Sequence, residues 1–341
     1  MKDNHQPRTR PVRIVALGGG TGLSTLLRGL KEYVARRRSE RRRLPIADLA
    51  AVVTVTDDGG SSGRLRREYR VLPPGDIRNC MVALSKDEAL LSRLFQYRFA
   101  TGGALRGHSF GNIFLTALTQ VTGGDFPEAV RLSGQVLAIR GRIYPSTDSN
   151  VTLEAQLENG KIIRGETKIS RSSVRIRRVR LVPRHVKPLP EVLEAIRQAD
   201  LILIGPGSLY TSIIPNLLLS KVKEALQHTH ATRVYIANLM TQPGETHGYS
   251  VADHVRAIYD HTQAGIIDWV VLNRKQVTPR ALRRYRAKGA EPVRTSVSEL
   301  EKMGLGCVAG DLLQEGKVVR HNQRRLAQVV LNEFVKRLHR E

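Results

Sequence analysis

The chain has 341 residues, 41% of them hydrophobic and only 5% aromatic, with 55 basic against 31 acidic side chains and a net charge of +24. That is enough for one α/β unit carrying an insertion, with a core of Val, Leu, Ile and Ala; no apolar run is long enough to span a bilayer, and the polar, basic stretch 1–11 lacks the apolar centre of a secretion signal. The two cysteines, Cys80 and Cys307, are far apart without metal-ligand spacing, and read as reduced, buried thiols of a cytoplasmic protein.

Residues 12–17 form a β-branched apolar run, read as a buried parallel strand that ends in Gly18-Gly19-Gly20-Thr21-Gly22, with a helix following from 23 to about 34. The basic run from Arg36 to Arg43 closes that helix. Cations suit a helix C-terminus, and no aromatic side chains interleave with the run as a base-stacking platform requires. Residues 51–56 repeat the strand signal and end in Asp57-Asp58-Gly59-Gly60-Ser61-Ser62-Gly63. Pro73 and Pro74 forbid a helix before Gly75, and Asp76 reads as the N-cap of a helix over 77–84. Helical periodicity also covers 88–99, 113–120 and 126–138, the second of these opening at Gly107-His108-Ser109-Phe110-Gly111-Asn112.

The middle of the chain changes character. Over 151–170 apolar and polar residues alternate around Asn159-Gly160, a hairpin signal, and 174–183 alternates again with arginines outward. This predicts a small antiparallel β insertion at about 151–183, inside one α/β domain spanning 12–341 and preceded by a disordered basic tail over 1–11. A βα rhythm then returns. Residues 201–204 are a strand ending in Gly205-Pro206-Gly207-Ser208, and 234–237 one ending in Asn238 and the stretch from Thr241 to Thr246. Residues 266–272 are another strand, and 322–339 a closing amphipathic helix.

Every predicted strand ends in small or polar residues on one edge of the sheet, where open α/β sheets collect ligands. The first turn is no Walker motif, since no Lys-Ser/Thr follows Gly22, but a helix N-terminus after a strand suits a phosphate. Asp57 and Asp58 stand where a ribose or sugar hydroxyl is usually held. Together they could bind Mg²⁺ with phosphate oxygens, although one of them is expected only to cap its turn. Asn79 and Asn112 bring amides suited to a base or hydroxyl; His108 is either an acid–base group or, the commoner role, a structural hydrogen bonder. No Ser/His/Asp set, H-E-x-x-H or Cys/His cluster is evident, so covalent or zinc catalysis is not expected and no catalytic residue is assigned.

Six motifs in order carry a family resemblance: GGGTG from Gly18, DDGGSSGRLR from Asp57, PPGDIRN from Pro73, GHSxGN from Gly107, IGPGSLYTS from Ile204 and MTQPGETxGYS from Met240. Together they resemble the bacterial gluconeogenesis factors known as YvcK, within the superfamily of 2-phospho-L-lactate transferase (CofD). The resemblance implies a Rossmann-like, mostly parallel sheet flanked by helices. It also implies a cytoplasmic protein that binds UDP-sugars, chiefly UDP-N-acetylglucosamine, without a required cofactor. Such a protein supports cell shape and wall-precursor balance during gluconeogenic growth.

Residue by residue, the resemblance implies that Gly19, Gly20 and Thr21 hold the diphosphate region. Asp57, Asn79, Asn112, Gly205, Ser208 and Asn238 would line the cleft, and Tyr285 and Arg320 would face the nucleotide. It leaves open self-association and cell-wall regulatory partners. The transferase branch carries an S-P-D-x-D-T type segment after its acidic pair, where this chain has Gly59-Gly60-Ser61-Ser62-Gly63-Arg64. That difference favours the sugar-nucleotide branch over a Mg²⁺-dependent transferase of a phosphorylated small molecule. A third class, nucleic-acid binding, is motivated by charge alone and is not expected.

Overall fold

The computed structural model describes residues 11–35, 40, 45–86, 90–101 and 103–338. The arginines of the 36–43 run, and the predicted tail apart from Pro11, fall outside those residues. From the N-terminus run β1 (Val12–Gly18), β2 (Ile46–Val53) and β3 (Arg142–Pro145), then β4 (Thr152–Leu157), β5 (Ile162–Arg164) and β6 (Ile176–Val182). They are followed by β7 (Leu201–Ile204), β8 (Thr232–Ile236), β9 (Trp269–Asn273) and β10 (Gly306–Gly310), and by a two-stranded hairpin of β11 (Leu313–Gln314) and β12 (Arg320–His321).

Seven strands make one parallel sheet in the order β10-β9-β8-β7-β1-β2-β3. From β1 the chain winds outward through β2 to β3, returns to the other side of β1 at β7, and winds outward again to β10. With the insertion set aside this is the doubly wound order of dinucleotide-binding folds plus one strand. Helices cover both faces, so the strands are buried on both sides. Ile14, Val15, Ala16 and Leu17 of β1 are all buried, as are all four residues of β7. That is why these strands read as continuous apolar runs rather than as alternations. The insertion folds as predicted into a separate antiparallel sheet, β5-β4-β6, turning at Gly160 with φ +82°. Two of its arginines have a local role: Arg164 and Arg180 both pair with Glu154, which is only 2% exposed.

Several elements differ from the sequence reading. β2 begins at Ile46 instead of 51, and Asp48 within it pairs with Arg142 on the edge strand β3, a strand the sequence reading lacks. β10 and the β11–β12 hairpin are likewise absent from it. The glycine-rich stretch after Asp58 becomes a helix, α2 in a set with α1 (Gly20–Leu30), α2 (Gly60–Tyr69) and α3 (Gly75–Leu84). Gly60 at φ +45° supplies the turn into α2 that a side chain would resist. Cys80 is fully buried as expected, but Cys307 in β10 is only partly so, and burial raises both thiols' pKa. Among the described residues no helix is long and apolar enough to cross a membrane.

Where the strand order reverses, between β1 and β7, two turns press together. A Cβ on Gly22 would lie 2.4 Å from the Pro206 carbonyl oxygen. Gly22→Ala must therefore push the two turns apart, and we expect a loss of about 1–3 kcal/mol, the usual range for overpacking, read as a lower urea midpoint at unchanged slope.

Candidate functional site

The crevice beyond β1 and β7 opens into a cleft of about 510 Å³. Its floor is the first turn of α1, Gly19 to Gly22, facing Pro206, Gly207 and Ser208 at the end of β7. In that turn the amides of Thr21 and Gly22 have no carbonyl four residues back within the helix, so they are open to an acceptor. The turn after β7 is braced by side chains. The Asn238 side-chain amide donates to the Gly207 carbonyl at 2.8 Å, and Gln242 Nε2 donates to Ser208 Oγ at 2.8 Å.

One wall comes from the C-terminal segments. Tyr285, from the helix Pro279–Arg286, accepts the Val319 backbone N–H on its hydroxyl at 2.7 Å, which ties that helix to the hairpin carrying Arg320. Arg320 is exposed, and Lys288 also lines the cleft. His321 turns inward and hydrogen-bonds the Ala237 backbone, and burial pushes its pKa down to about 4, so its ring is neutral. Its Nε2 is buried without a partner.

The cleft also has acidic lining residues. Glu166 opens the short helix Glu166–Ile169 of the insertion, and Glu245 follows β8. Glu245 accepts from the Tyr210 N–H at 3.1 Å, the Thr211 hydroxyl at 3.0 Å and the Ser170 hydroxyl at 3.2 Å. Burial raises its pKa and these donors oppose the rise. Glu166 is raised well above the usual carboxylate range, first by burial and then by Asp57, Asp76 and Glu245 around it. One of its oxygens is buried without a hydrogen bond, and so is Gln242 Oε1 nearby.

Of the residues expected at the site, Gly19, Gly20, Thr21, Ser208, Asn238, Tyr285 and Arg320 lie on this cleft. Gly205 sits just beneath it at φ +81°, its N–H bonded to the Leu17 carbonyl, where it joins β7 to the floor. Asp57, Asn79 and Asn112 do not join them. They line a separate cavity of about 210 Å³ with Asp76 and Arg78. The turn after β2 explains the separation, because both aspartates are held locally. Asp57 accepts the Gly59 N–H at 2.8 Å, and Asp58 accepts the N–H and hydroxyl of Thr167 at 2.9 and 2.7 Å, fastening the insertion to the sheet edge. Among the described residues no group of three or more His, Cys, Asp or Glu side chains is placed to hold a metal ion.

His108 Nδ1 lies 3.0 Å from Ser61 Oγ, which also accepts from Asn112 Nδ2 at 3.1 Å, a Ser–His contact the sequence reading did not contain. Burial and the nearby Arg64 lower the pKa of His108, which therefore serves as a neutral hydrogen-bond partner.

Asp76 departs most from its expected role. The helix begins at Gly75 with Pro74 as N-cap, so Asp76 caps nothing in its own helix. Its carboxylate instead reaches α1 and accepts the Gly20 N–H, and a Cβ on Gly19 would lie 2.7 Å from its oxygen. The half-buried Asp76 thus stands between the two cavities, lining the smaller one and contacting the floor of the larger. Glu166, Gln242, Glu245, Lys288 and His321 line the main cleft but were not singled out from the sequence. Gln242 and Glu245 stand inside the MTQPGET motif. Nothing local marks Glu166, which lies in a stretch that reads as hairpin.

This fold and cleft define a CofD-type protein. The family model for 2-phospho-L-lactate transferase CofD matches residues 14–313, and the chain belongs to that family. Within it the relatives are gluconeogenesis factors. The one from Bacillus subtilis is 46% identical over 94% of this chain and 97% of its own length; that from Halalkalibacterium halodurans is 44% identical over 93% and 95%. A crystal structure of a UPF0052 family member from Bacillus halodurans superposes with a TM-score of 0.88 at 44% identity, covering 95% of this chain and all of its own.

Burial first, and then Asp57, pushes the pKa of Asp76 up to about 6, against the opposing pull of the Gly20 N–H, Arg78 and Asn79. A carboxyl raised on folding favours the folded state fully below its unfolded pKa near 4, and that contribution is lost as pH rises through about 6. Asp76→Asn removes the penalty. We expect the variant to gain stability relative to the parent between pH 4 and pH 7, by a few kcal/mol at most at ~1.4 per pKa unit, in urea unfolding curves taken across that range.

Proposed function

We propose that the protein is a cytoplasmic UDP-sugar-binding gluconeogenesis factor, with UDP-N-acetylglucosamine as its principal ligand. We further propose that it acts without catalysis, supporting cell shape and wall-precursor balance during gluconeogenic growth. The observation that carries this reading is the mixed lining of the cleft. Arg320, Lys288 and Tyr285 line it together with Glu166 and Glu245, and the open amides of Thr21 and Gly22 lie on its floor. A guanidinium beside helix N-terminal amides suits a diphosphate, and an aromatic ring beside it suits a base. The hydroxyls beside a carboxylate in the cleft, those of Thr211 and Ser170, share Glu245 with the Tyr210 N–H, a bracing arrangement that favours holding the guest over transforming it.

Calorimetry with UDP-N-acetylglucosamine should show saturable binding, and no heat of binding at millimolar ligand would sink the proposal. Arg320→Ala should weaken binding by about tenfold or more, a loss of about 1.4 kcal/mol or more, with an unchanged melting temperature.

A second reading, transfer of a phosphorylated group to an acceptor, is favoured by the adjoining cavity, which leaves room for a second reactant behind Asp76. Turnover in a panel of nucleotide donors and candidate acceptors with Mg²⁺, lost in Asp57→Asn, would establish it. Absence of product across the panel would leave binding as the function.

A further inference from the structure

Large apolar side chains left in water are normally scattered singly over a folded chain, and residues 90–105 depart from that pattern. Among the described residues this stretch holds four of them: Leu90 at 72% exposure, Leu94 at 40%, Tyr97 at 55% and Leu105 at 47%. Three belong to one stripe. In α4 (Leu90–Gln96), Leu90 and Leu94 stand one turn apart, and Tyr97, just past the helix, adds the next turn. Packing of the helix does not call for them. Its inward side is served by the buried Phe95, which meets Phe110 and Phe114 of α5 (Phe110–Val121) at ring-centroid distances of 5.8 and 5.2 Å.

The segment after α4 carries the fourth. Backbone bonds from the Phe99 N–H to His108 and from the Gly107 N–H to Phe99 close a hairpin-like loop, and every described residue of its tip, 100–106, is exposed. Leu105 sits at that tip. Residues 90–108 also contain Arg93, Arg98 and Arg106, all exposed, and no acidic residue.

That combination selects the partner. A second copy of the chain would bring the same three arginines to the contact, and like charge opposes it. An anionic lipid surface answers both features. Headgroup phosphates take the guanidiniums, the shallow acyl region takes the leucines, and a tyrosine suits the boundary between them. We infer that α4 and the loop after it form a peripheral docking surface for anionic membranes, holding the protein at a bilayer without crossing it. This surface is independent of what fills the main cleft.

Flotation of the full chain with vesicles of phosphatidylcholine, alone or with phosphatidylglycerol added, makes the test. The protein should rise with the anionic vesicles and stay behind with the neutral ones. A chain of net charge +24 is drawn to any anionic surface, so the variants decide. Arg93→Ala should weaken partitioning about fivefold, the usual effect of one basic residue at such a surface. Arg280→Ala, at an exposed arginine in the helix Pro279–Arg286, should leave it unchanged. Leu90→Ser combined with Tyr97→Ser should weaken it about tenfold or more at an unchanged melting temperature, since both side chains are more than half exposed. No flotation with anionic vesicles overturns the inference. Equal weakening by the two arginine variants, with no effect of the apolar pair, also overturns it and leaves diffuse attraction alone. A dimer in sedimentation that the apolar pair dissociates overturns it too, and gives the face to a second copy.

Discussion

The contact between the turns after β1 and β7 constrains everything around it. Parallel strands that leave β1 in opposite directions open a crevice at the point of reversal, and its width is set by how closely the two turns approach. Here Gly22 lies against the Pro206 carbonyl with no room for a Cβ. The α1 N-terminus is thereby held against the end of β7, and the remaining loops are arranged around that junction. Asn238 and Gln242 brace the β7 side by hydrogen-bonding Gly207 and Ser208. Asp76 braces the β1 side by accepting from Gly20.

This bracing has an electrostatic consequence. A helix N-terminus attracts anions, and the protein supplies one of its own in Asp76. Part of the anion-binding capacity of α1 is therefore used internally, leaving a guest the amides further along the turn and the cations on the C-terminal wall. The acidic residues gathered along and behind the cleft are tolerated because hydrogen bonds offset most of them. Asp58 is held by Thr167, and Glu245 by Tyr210, Thr211 and Ser170. Glu166 is the exception among them.

Much of this architecture is legible in the sequence for identifiable reasons. Strands buried on both faces must be continuously apolar, which exposes β1 and β7, and an Asn-Gly turn between alternating runs exposes the insertion. β3, only four residues long at the sheet edge, has too short a pattern to register. The helix at Gly60–Tyr69 is masked by glycine and serine in its first turn, residues that favour turns when read locally. The site is legible where glycines mark a close approach. It fails where a side chain's role depends on a distant partner: Asp76 reads as a local cap but serves a helix more than fifty residues earlier. Asp57 and Asn112 read as part of one cleft but fall behind a partition that only the fold creates.

The hydrogen bond from the Val319 amide to the Tyr285 hydroxyl ties the outer wall to segments made last, whereas the floor is made first. No contiguous stretch of chain therefore contains a complete binding surface. A guest seated between floor and wall would act as a clasp joining the two ends of the polypeptide, and its occupancy would be coupled by mass action to cohesion of the whole domain.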